Sequence, residues 1–147
     1  MRRFVLSFIA VSLIAFVIAG CGSGHKSSPV NTELEGVWTK YAPGTETVPE
    51  ITITFVFHEN DWELTWIETE TSTIVSRMLG TFSLDTESDP KELNLYIVES
   101  SDESQDEGTT IYGIYELSGD NLIIASGDGG IRPTSFTAYN TIDLVKE

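Results

Sequence analysis

Residues 51–66 read Ile-Thr-Ile-Thr-Phe-Val-Phe-His-Glu-Asn-Asp-Trp-Glu-Leu-Thr-Trp, and their large apolar side chains recur at every second position. The residues that share one face of this stretch are Ile51, Ile53, Phe55, Phe57, Trp62, Leu64 and Trp66. A period of two is typical of a half-buried β-strand, whereas an amphipathic helix has a period near 3.6. Residues 58–61 include Asn and Asp, which tolerate the left-handed conformation that a tight hairpin needs. The stretch therefore predicts two antiparallel strands joined by a turn.

The same alternation continues on both sides of this hairpin, with turn residues between the apolar runs. Further strands are predicted at Leu34–Tyr41, Thr73–Leu84, Leu93–Val98, Thr110–Leu117, Asn121–Ala125 and around Ile142 and Leu144. Gly80 falls on the inward positions of its strand and indicates a bulge or a bend. Eight sequential antiparallel strands leave no unpaired edge if the sheet closes. We therefore expect an all-β, eight-stranded up-and-down antiparallel barrel, with a two-sheet β-sandwich as the alternative.

The first twenty residues have the features of a targeting segment. Arg2 and Arg3 precede an uncharged run of 16 residues, Phe4–Ala19. As a helix this run would be about 24 Å long, which is short for a hydrocarbon core of ~30 Å. The length is typical of a signal peptide. The alternatives are an ordinary signal peptide followed by a chance cysteine, or an uncleaved membrane anchor.

Ile18-Ala19-Gly20-Cys21 resembles the bacterial lipobox, in which small residues precede a cysteine that carries the lipid. Cys21 is also the single cysteine of the chain, so no internal disulfide is possible. The resemblance implies a lipoprotein with a signal peptide over residues 1–20 and a lipidated Cys21, which multiple acyl chains would hold firmly on a membrane. Residues 21–33 are then a flexible linker by composition, and residues 34–147 form one domain.

This reading places the domain in the cell envelope, outside the cytoplasm. Gly22 follows the cysteine where an Asp would favour retention at the inner membrane, so the outer membrane is favoured in a host with two membranes. Removal of residues 1–20 takes away two Arg and no acid, which leaves 6 Lys and Arg against 23 Asp and Glu, a net charge of −17. Such a surface repels nucleic acid and excludes nucleic-acid binding as a function. It favours solubility and cationic partners, and we expect a monomer without a cofactor.

Gly36-Val37-Trp38 resembles the Gly-x-Trp signature of lipocalins, in which the Trp closes one end of the barrel. Four further segments are similar, in order, to a family of uncharacterised bacterial lipocalin-like domains that are often secreted or lipid-anchored: Gly80–Asp85, Pro90–Leu95, Gly113–Leu122 and Arg132–Phe136. The resemblance covers residue 34 to the end, apart from residues 39–77, which carry no family motif. It implies a lipocalin-like barrel and an extracytoplasmic location, and it implies no activity.

In lipocalins a basic residue packs over the tryptophan of the first strand. Here Arg132 or Lys146 could stack on Trp38 through a cation–π contact. Such a contact would be structural. The alternative for Arg132 is a solvated position in a loop.

The residue types that carry catalysis are sparse, and we expect a protein that is not an enzyme. The two histidines, His25 and His58, are too few for a zinc site, which needs three or four nitrogen or sulfur ligands. No Gly-x-Ser-x-Gly elbow occurs, and the glycine-rich residues 126–130 lack the Lys of a phosphate-binding loop. His58 beside Glu59 and Asp61 could hold a metal only weakly. The acidic residues Asp102, Glu103, Asp106 and Glu107 lack EF-hand spacing, so a solvated loop is expected there rather than a calcium site.

Two functional hypotheses remain. The first is a membrane-tethered lipocalin-like domain that binds a small apolar or amphipathic ligand. The aromatic residues that could line its cavity are Phe55, Phe57, Trp62, Trp66, Phe82 and Tyr115, although side chains at alternating positions also form ordinary cores. The second hypothesis is an acidic protein-interaction or inhibitor module of the cell envelope, which would meet a cationic partner through its charge.

Overall fold

The computed structural model describes residues 32–101, 107–137 and 140–147 of the chain. The strands are β1 (Gly36–Ala42), β2 (Ile51–His58), β3 (Asp61–Glu68), β4 (Thr73–Asp85), β5 (Lys91–Ser100), β6 (Thr110–Ser118), β7 (Asn121–Ser126) and β8 (Thr141–Lys146). Each strand pairs antiparallel with the next, and β8 pairs with β1, so the sheet is a closed barrel in sequential order. The prediction of an eight-stranded up-and-down antiparallel barrel is confirmed, and the alternative of a sandwich is wrong. Among the described residues there is no helix of the length and hydropathy needed to cross a membrane.

The predicted hairpin of residues 51–66 forms over the full length of both strands. β2 and β3 pair from Ile51 opposite Glu68 to His58 opposite Asp61. The turn therefore contains only Glu59 and Asn60, because His58 and Asp61 still belong to the strands. Glu59 has a φ of 56°, which is the left-handed conformation of a two-residue hairpin turn.

Alternation places one face of every strand inside the barrel. Cross-strand partners share a face, so the pairing assigns each position to the inner or the outer register. The inner residues form one cluster: Leu34, Trp38, Ile53, Phe55, Phe57, Trp62, Leu64, Met78, Phe82, Leu93, Leu95, Ile97, Tyr115, Leu122, Ile124 and Leu144. Large side chains from all eight strands therefore fill the middle of the barrel.

The two ends of the barrel differ, because alternate connections of an up-and-down barrel lie at opposite ends. The β2–β3, β4–β5 and β6–β7 turns lie at the end where the chain enters β1, which we call the closed end. The other four connections lie at the opposite end, which we call the mouth. At the closed end Leu34 has an exposed fraction of 0%, and its carbonyl accepts a hydrogen bond of 2.8 Å from the indole nitrogen of Trp38.

The segment before β1 belongs to the folded barrel rather than to a linker. The Glu33 carboxylate pairs with Lys91 and accepts a hydrogen bond of 3.2 Å from the hydroxyl of Tyr115. Glu35 contacts the β2–β3 turn, as described below. Residue 33, expected in the linker, therefore belongs to the ordered domain.

The barrel wall closes over a short seam. β1 and β8 pair only at Trp38 opposite Lys146 and at Thr39 opposite Val145. Beyond Thr39, toward the mouth, the rest of β1 pairs with β2 alone. The seam is therefore fully paired only near the closed end.

Gly80 allows two strands and a tryptophan to meet. The β4–β5 register shifts between Leu79 and Gly80, and a Cβ atom on Gly80 would lie 1.8 Å from the carbonyl oxygen of Tyr96. The indole nitrogen of Trp62 donates to the carbonyl oxygens of Thr81 (3.1 Å) and Tyr96 (3.2 Å) beside this irregularity. The glycine is thus required by a close backbone approach, which the buried tryptophan bridges.

Candidate ligand site at the barrel mouth

Four of the six aromatic residues that the sequence singled out pack against one another in the barrel interior. The rings of Phe55 and Phe57 are stacked with centroids 5.4 Å apart, and Trp62 lies 6.1 Å from Phe55. The ring of Phe82 meets that of Phe57 edge-on at 5.0 Å. Their exposed fractions are 6% or less. The contacts among these residues are those of a core, the reading that the sequence left open beside a ligand cavity.

Tyr115, the fifth predicted aromatic, lies at the closed end. Its hydroxyl donates to Glu33, and the ammonium of Lys91 lies 5.8 Å from the centre of its ring. Burial, with the nearby Glu33 carboxylate adding to it, raises the pKa of this phenol above its ordinary value of 10. Tyr115 therefore ties the N-terminal segment to the barrel.

Trp66 is the one predicted aromatic that reaches solvent. It lies opposite Ile53 on β2 and Ser76 on β4, so it belongs to the inner register. Its exposed fraction is nevertheless 40%, because it stands near the mouth end of β3. A large apolar side chain on the inner face that stays accessible is what a ligand site requires.

Several further inner-register residues near the mouth are only partly buried, among them Glu68, which lies opposite Ile51, and Ser100, which lies opposite Met78. Six residues of this register, Trp66 and five from other strands, are called the mouth ring: Lys40, Ile51, Trp66, Ser76, Ile111 and Ile142. Its three isoleucines pack against the core cluster below them. No described loop residue at this end is buried, in contrast to Leu34 at the closed end. The mouth ring is therefore a mainly apolar, partly exposed rim above a filled barrel.

Lys40 and the two isoleucines of β6 and β8 were not among the predicted site residues. Lys40 lies opposite Ile53 and two residues after the buried Trp38, and this parity with Trp38 was the available signal. Ile111 and Ile142 could not be grouped with Trp66 from the sequence, because their strands are distant in the chain.

The Gly-x-Trp segment lies where the lipocalin resemblance implies, at the closed end. Trp38 is buried, and the ammonium of Lys146 lies 5.1 Å from the centre of its ring. Lys146 also fills the space beside Gly36, where a Cβ atom would meet its side chain at 2.9 Å. Of the two basic residues offered for this contact, the structure places Lys146 over Trp38 and Arg132 elsewhere.

Arg132 anchors the β7–β8 connection to the outer wall of the barrel. Its guanidinium donates to the carbonyl oxygens of Leu93 (3.3 Å) and Gly113 and to the side chain of Asn94 (2.6 Å). It also pairs with Glu92 at 3.1 Å and lies 5.4 Å from the ring centre of Tyr112. Arg132 is therefore neither a partner of Trp38 nor a solvated loop residue, because the connection folds back over β5 and β6.

His58 pairs with the segment before β1 rather than with its neighbours in the turn. Its Nδ1 lies 2.7 Å from one carboxylate oxygen of Glu35, and the backbone N–H of Glu59 donates to the other oxygen at 2.8 Å. The hydrogen bond from His58 lowers the pKa of Glu35, and the same bond raises the pKa of His58. Within the described ranges no group of three or more His, Cys, Asp or Glu side chains is placed to hold a metal ion.

A hollow on the outer wall of the barrel is called the outer groove. Its volume is about 370 Å³, and its apolar lining comes from Val56, Leu79 and Val98 with Gly80 beneath. Asp61 and Glu63 border it, and Arg77 pairs with Glu63 at 2.7 Å. The outer groove is thus an apolar strip with an acidic margin.

Several predicted features lie outside the residues that the structure describes. These are the signal peptide, Cys21, the linker up to residue 31, and the acidic residues Asp102, Glu103 and Asp106. Comparison with protein-family models, curated proteins and solved structures found no match for this chain. Over the described residues, fold and geometry define its class: a closed eight-stranded antiparallel β-barrel with one end covered by Leu34 and a partly apolar, partly exposed inner face at the other.

Proposed function

We propose that this protein is an envelope lipoprotein whose lipocalin-like barrel binds a small amphipathic molecule at the mouth ring. The observation that carries the proposal is the contrast between the two ends. The closed end is covered by the fully buried Leu34, whereas the inner register of the mouth keeps Trp66 at 40% exposure. A binding role, rather than a catalytic one, fits a rim that is mainly apolar.

The composition of the mouth ring supports an amphipathic ligand rather than a purely apolar one. Trp66 and three isoleucines offer apolar contact, and Lys40 and Ser76 add polar groups on the same rim. Ligand sites are usually concave and apolar with a few polar groups that fix orientation. The filled interior below the rim limits the ligand to the upper part of the barrel, so a small or single-chain molecule fits better than a bulky one.

The proposed lipid anchor would set the orientation of the barrel. The described chain enters β1 at the closed end. Residues 22–31 would separate Cys21 from Thr32, and ten residues reach at most about 36 Å when fully extended. With Cys21 in a membrane, the closed end would be tethered on the membrane side and the mouth would be free to face the aqueous space.

Native mass spectrometry of the chain from Gly22 onward, which lacks the lipidated Cys21, tests the binding role, since this form keeps every residue that the structure describes. We expect a small molecule that co-purifies with the wild-type protein and leaves on mild denaturation. Ile111→Glu, which puts a charge on the mouth ring, should be purified without a bound small molecule. Val98→Glu, which puts the same charge on the outer wall, should keep the molecule. A wild-type protein that is purified without a bound small molecule and binds no added dodecanol would contradict the proposal.

A second candidate function, an acidic protein-interaction module, is favoured by the outer groove. Val98 is 52% exposed there, and the neighbouring Asp61 and Glu63 would suit a partner with basic residues around an apolar one. Binding of such a partner should weaken strongly as salt rises. Loss of partner binding in Val98→Glu, with no loss in Ile111→Glu, would favour this candidate over the first.

A further inference from the structure

We infer that the mouth takes an amphiphile with an anionic head, and that the ammonium of Lys40 holds that head. The inference rests on the proposed binding function and adds the charge of the ligand and the residue that recognises it. The expected ligand chemistry is a single alkyl chain that ends in a carboxylate or another anionic oxygen group.

Lys40 stands on the inner side of the barrel wall, near the mouth. It lies opposite the buried Ile53, so it shares the inner register with Trp38. Continuing the β1–β8 register would bring Leu144 opposite Lys40, but the pairing stops at Thr39. Lys40 is therefore a half-buried cation on the inner side of the wall, at the part of the seam that β8 does not pair.

Lys40 differs from the other described basic residues in its lack of a partner. The described residues include five Lys and Arg, and four of these have a partner within the same ranges. Arg77 pairs with Glu63, Lys91 with Glu33 and Arg132 with Glu92, and Lys146 stacks on Trp38. Lys40 has no ion pair or ring contact with another described residue. Among the residues that the structure describes, Lys40 is therefore the one Lys or Arg without such a contact.

Acidic residues near the mouth have other contacts. Glu68 accepts a hydrogen bond of 2.5 Å from Thr71, and Glu50 is hydrogen-bonded to Tyr41 on the outer register of β1. Glu68 shares the inner register, because it lies opposite Ile51, but neither carboxylate forms an ion pair with Lys40. An ammonium beside isoleucines loses part of its hydration, and an anion that binds it restores the lost interaction. Glu46 and Glu70, in the described loops at this end, are exposed to water, where salt screens their charge beyond about 8 Å.

The apolar part of the ligand follows from the rest of the ring. Ile51 and Ile142 stand on the two strands that flank Lys40, and Trp66 follows on the next strand. An alkyl chain that starts at Lys40 can therefore lie against these side chains without entering the filled core. A cationic head would meet Lys40 with like charge.

Isothermal titration calorimetry with three twelve-carbon probes tests the inference: laurate, dodecanol and dodecyltrimethylammonium. With the chain from Gly22 onward, we expect laurate to bind roughly tenfold more tightly than dodecanol, since a charge-assisted contact is typically of that strength. Lys40→Ala should lose about tenfold in laurate affinity and leave dodecanol binding unchanged. Lys40→Arg should keep laurate binding.

The matched control is Thr81→Glu, an exposed outer-register change near the closed end that lowers the net charge by one, as Lys40→Ala does. It should leave laurate affinity unchanged, which separates the position of the charge from the total charge. Unchanged dodecanol binding also shows that Lys40→Ala is folded. Equal affinity for laurate and dodecanol, or preference for the cationic probe, would overturn the inference while the proposed function stands. Failure of all three probes to bind would overturn both.

Discussion

Trp38 shows how one residue links the sequence signature to the stability of the barrel. It is buried at 1% exposure, its indole donates to Leu34, and Lys146 covers its ring. We expect Trp38→Ala to lower the free energy of unfolding by ~3–5 kcal/mol, since removal of a large buried side chain leaves a cavity. Urea denaturation followed by far-ultraviolet circular dichroism measures the change. Trp66→Ala is the matched control and should cost less than about 1 kcal/mol, as exposed sites usually do. Equal losses in the two variants would contradict this placement of the two tryptophans.

Arg132 stabilises the β7–β8 connection against the barrel wall, whereas Trp38 stabilises the core. Its guanidinium reaches two backbone carbonyls, an amide oxygen and a carboxylate. Arg132→Ala should lower the free energy of unfolding by about 2–3 kcal/mol, because these acceptors lose a charged donor. Arg132→Lys should recover only part of this, since an ammonium lacks the planar set of donors. Thermal denaturation of both variants checks the order, and full recovery by lysine would show that charge alone matters.

At the scale of elements, the segment before β1 is held to the β2–β3 turn by a pH-sensitive contact. The pKa of Glu35 is lowered from its ordinary 4.5, chiefly by the hydrogen bond with His58, and the pKa of His58 is raised from 6.5 by the same bond. The contribution of Glu35 is present above pH 4.5 and is lost as pH falls through its lowered pKa. The contribution of His58 is present below pH 6.5 and is lost as pH rises through its raised pKa. Both act together between these values.

We therefore expect the contact to loosen above neutral pH. Amide hydrogen exchange at Glu59, corrected for the intrinsic pH dependence, should show greater protection at pH 5.5 than at pH 8. The variant His58→Gln should show no such difference, because glutamine does not titrate in this range. Both groups are exposed, so global stability should change little. A wild-type protein with equal corrected protection at the two pH values would contradict the contact.

The strands were predictable from the sequence because their evidence is local. Alternation at residues 51–66 gives the hairpin, and Gly80 marks the irregularity where β4 meets β5. The mouth ring was not predictable, because it collects single residues from strands that are distant in the chain. The surroundings of Arg132 also depend on how a long connection folds back over the wall. Trp62 and Trp66 share one face by alternation, so the sequence predicts the same environment for both. Their different exposure depends on where each residue lies along β3, since Trp66 is near the mouth end and Trp62 near the closed end.

At the scale of the whole molecule, the proposed tether is open to a direct check. In bacterial cells, Cys21→Ser should abolish lipidation and leave the precursor unprocessed, because the thioether to diacylglycerol needs the thiol. Metabolic labelling with a palmitate analogue and the size of the product on a gel measure both effects. Ser23→Ala, two residues away, is the control and should mature normally. Normal processing of Cys21→Ser would remove the lipoprotein proposal and leave the barrel as it is.

The position of the bound ligand distinguishes the mouth ring from the outer groove. Amide and indole chemical shifts of the chain from Gly22 onward, recorded by NMR during a titration with laurate, report which part of the barrel responds. We expect changes concentrated at Lys40, Ile51, Ile111 and Ile142 and at the indole N–H of Trp66, with the closed end around Leu34 unaffected. Changes concentrated at Val56, Leu79 and Val98 in the outer groove, or no changes at millimolar laurate, would contradict binding at the mouth ring.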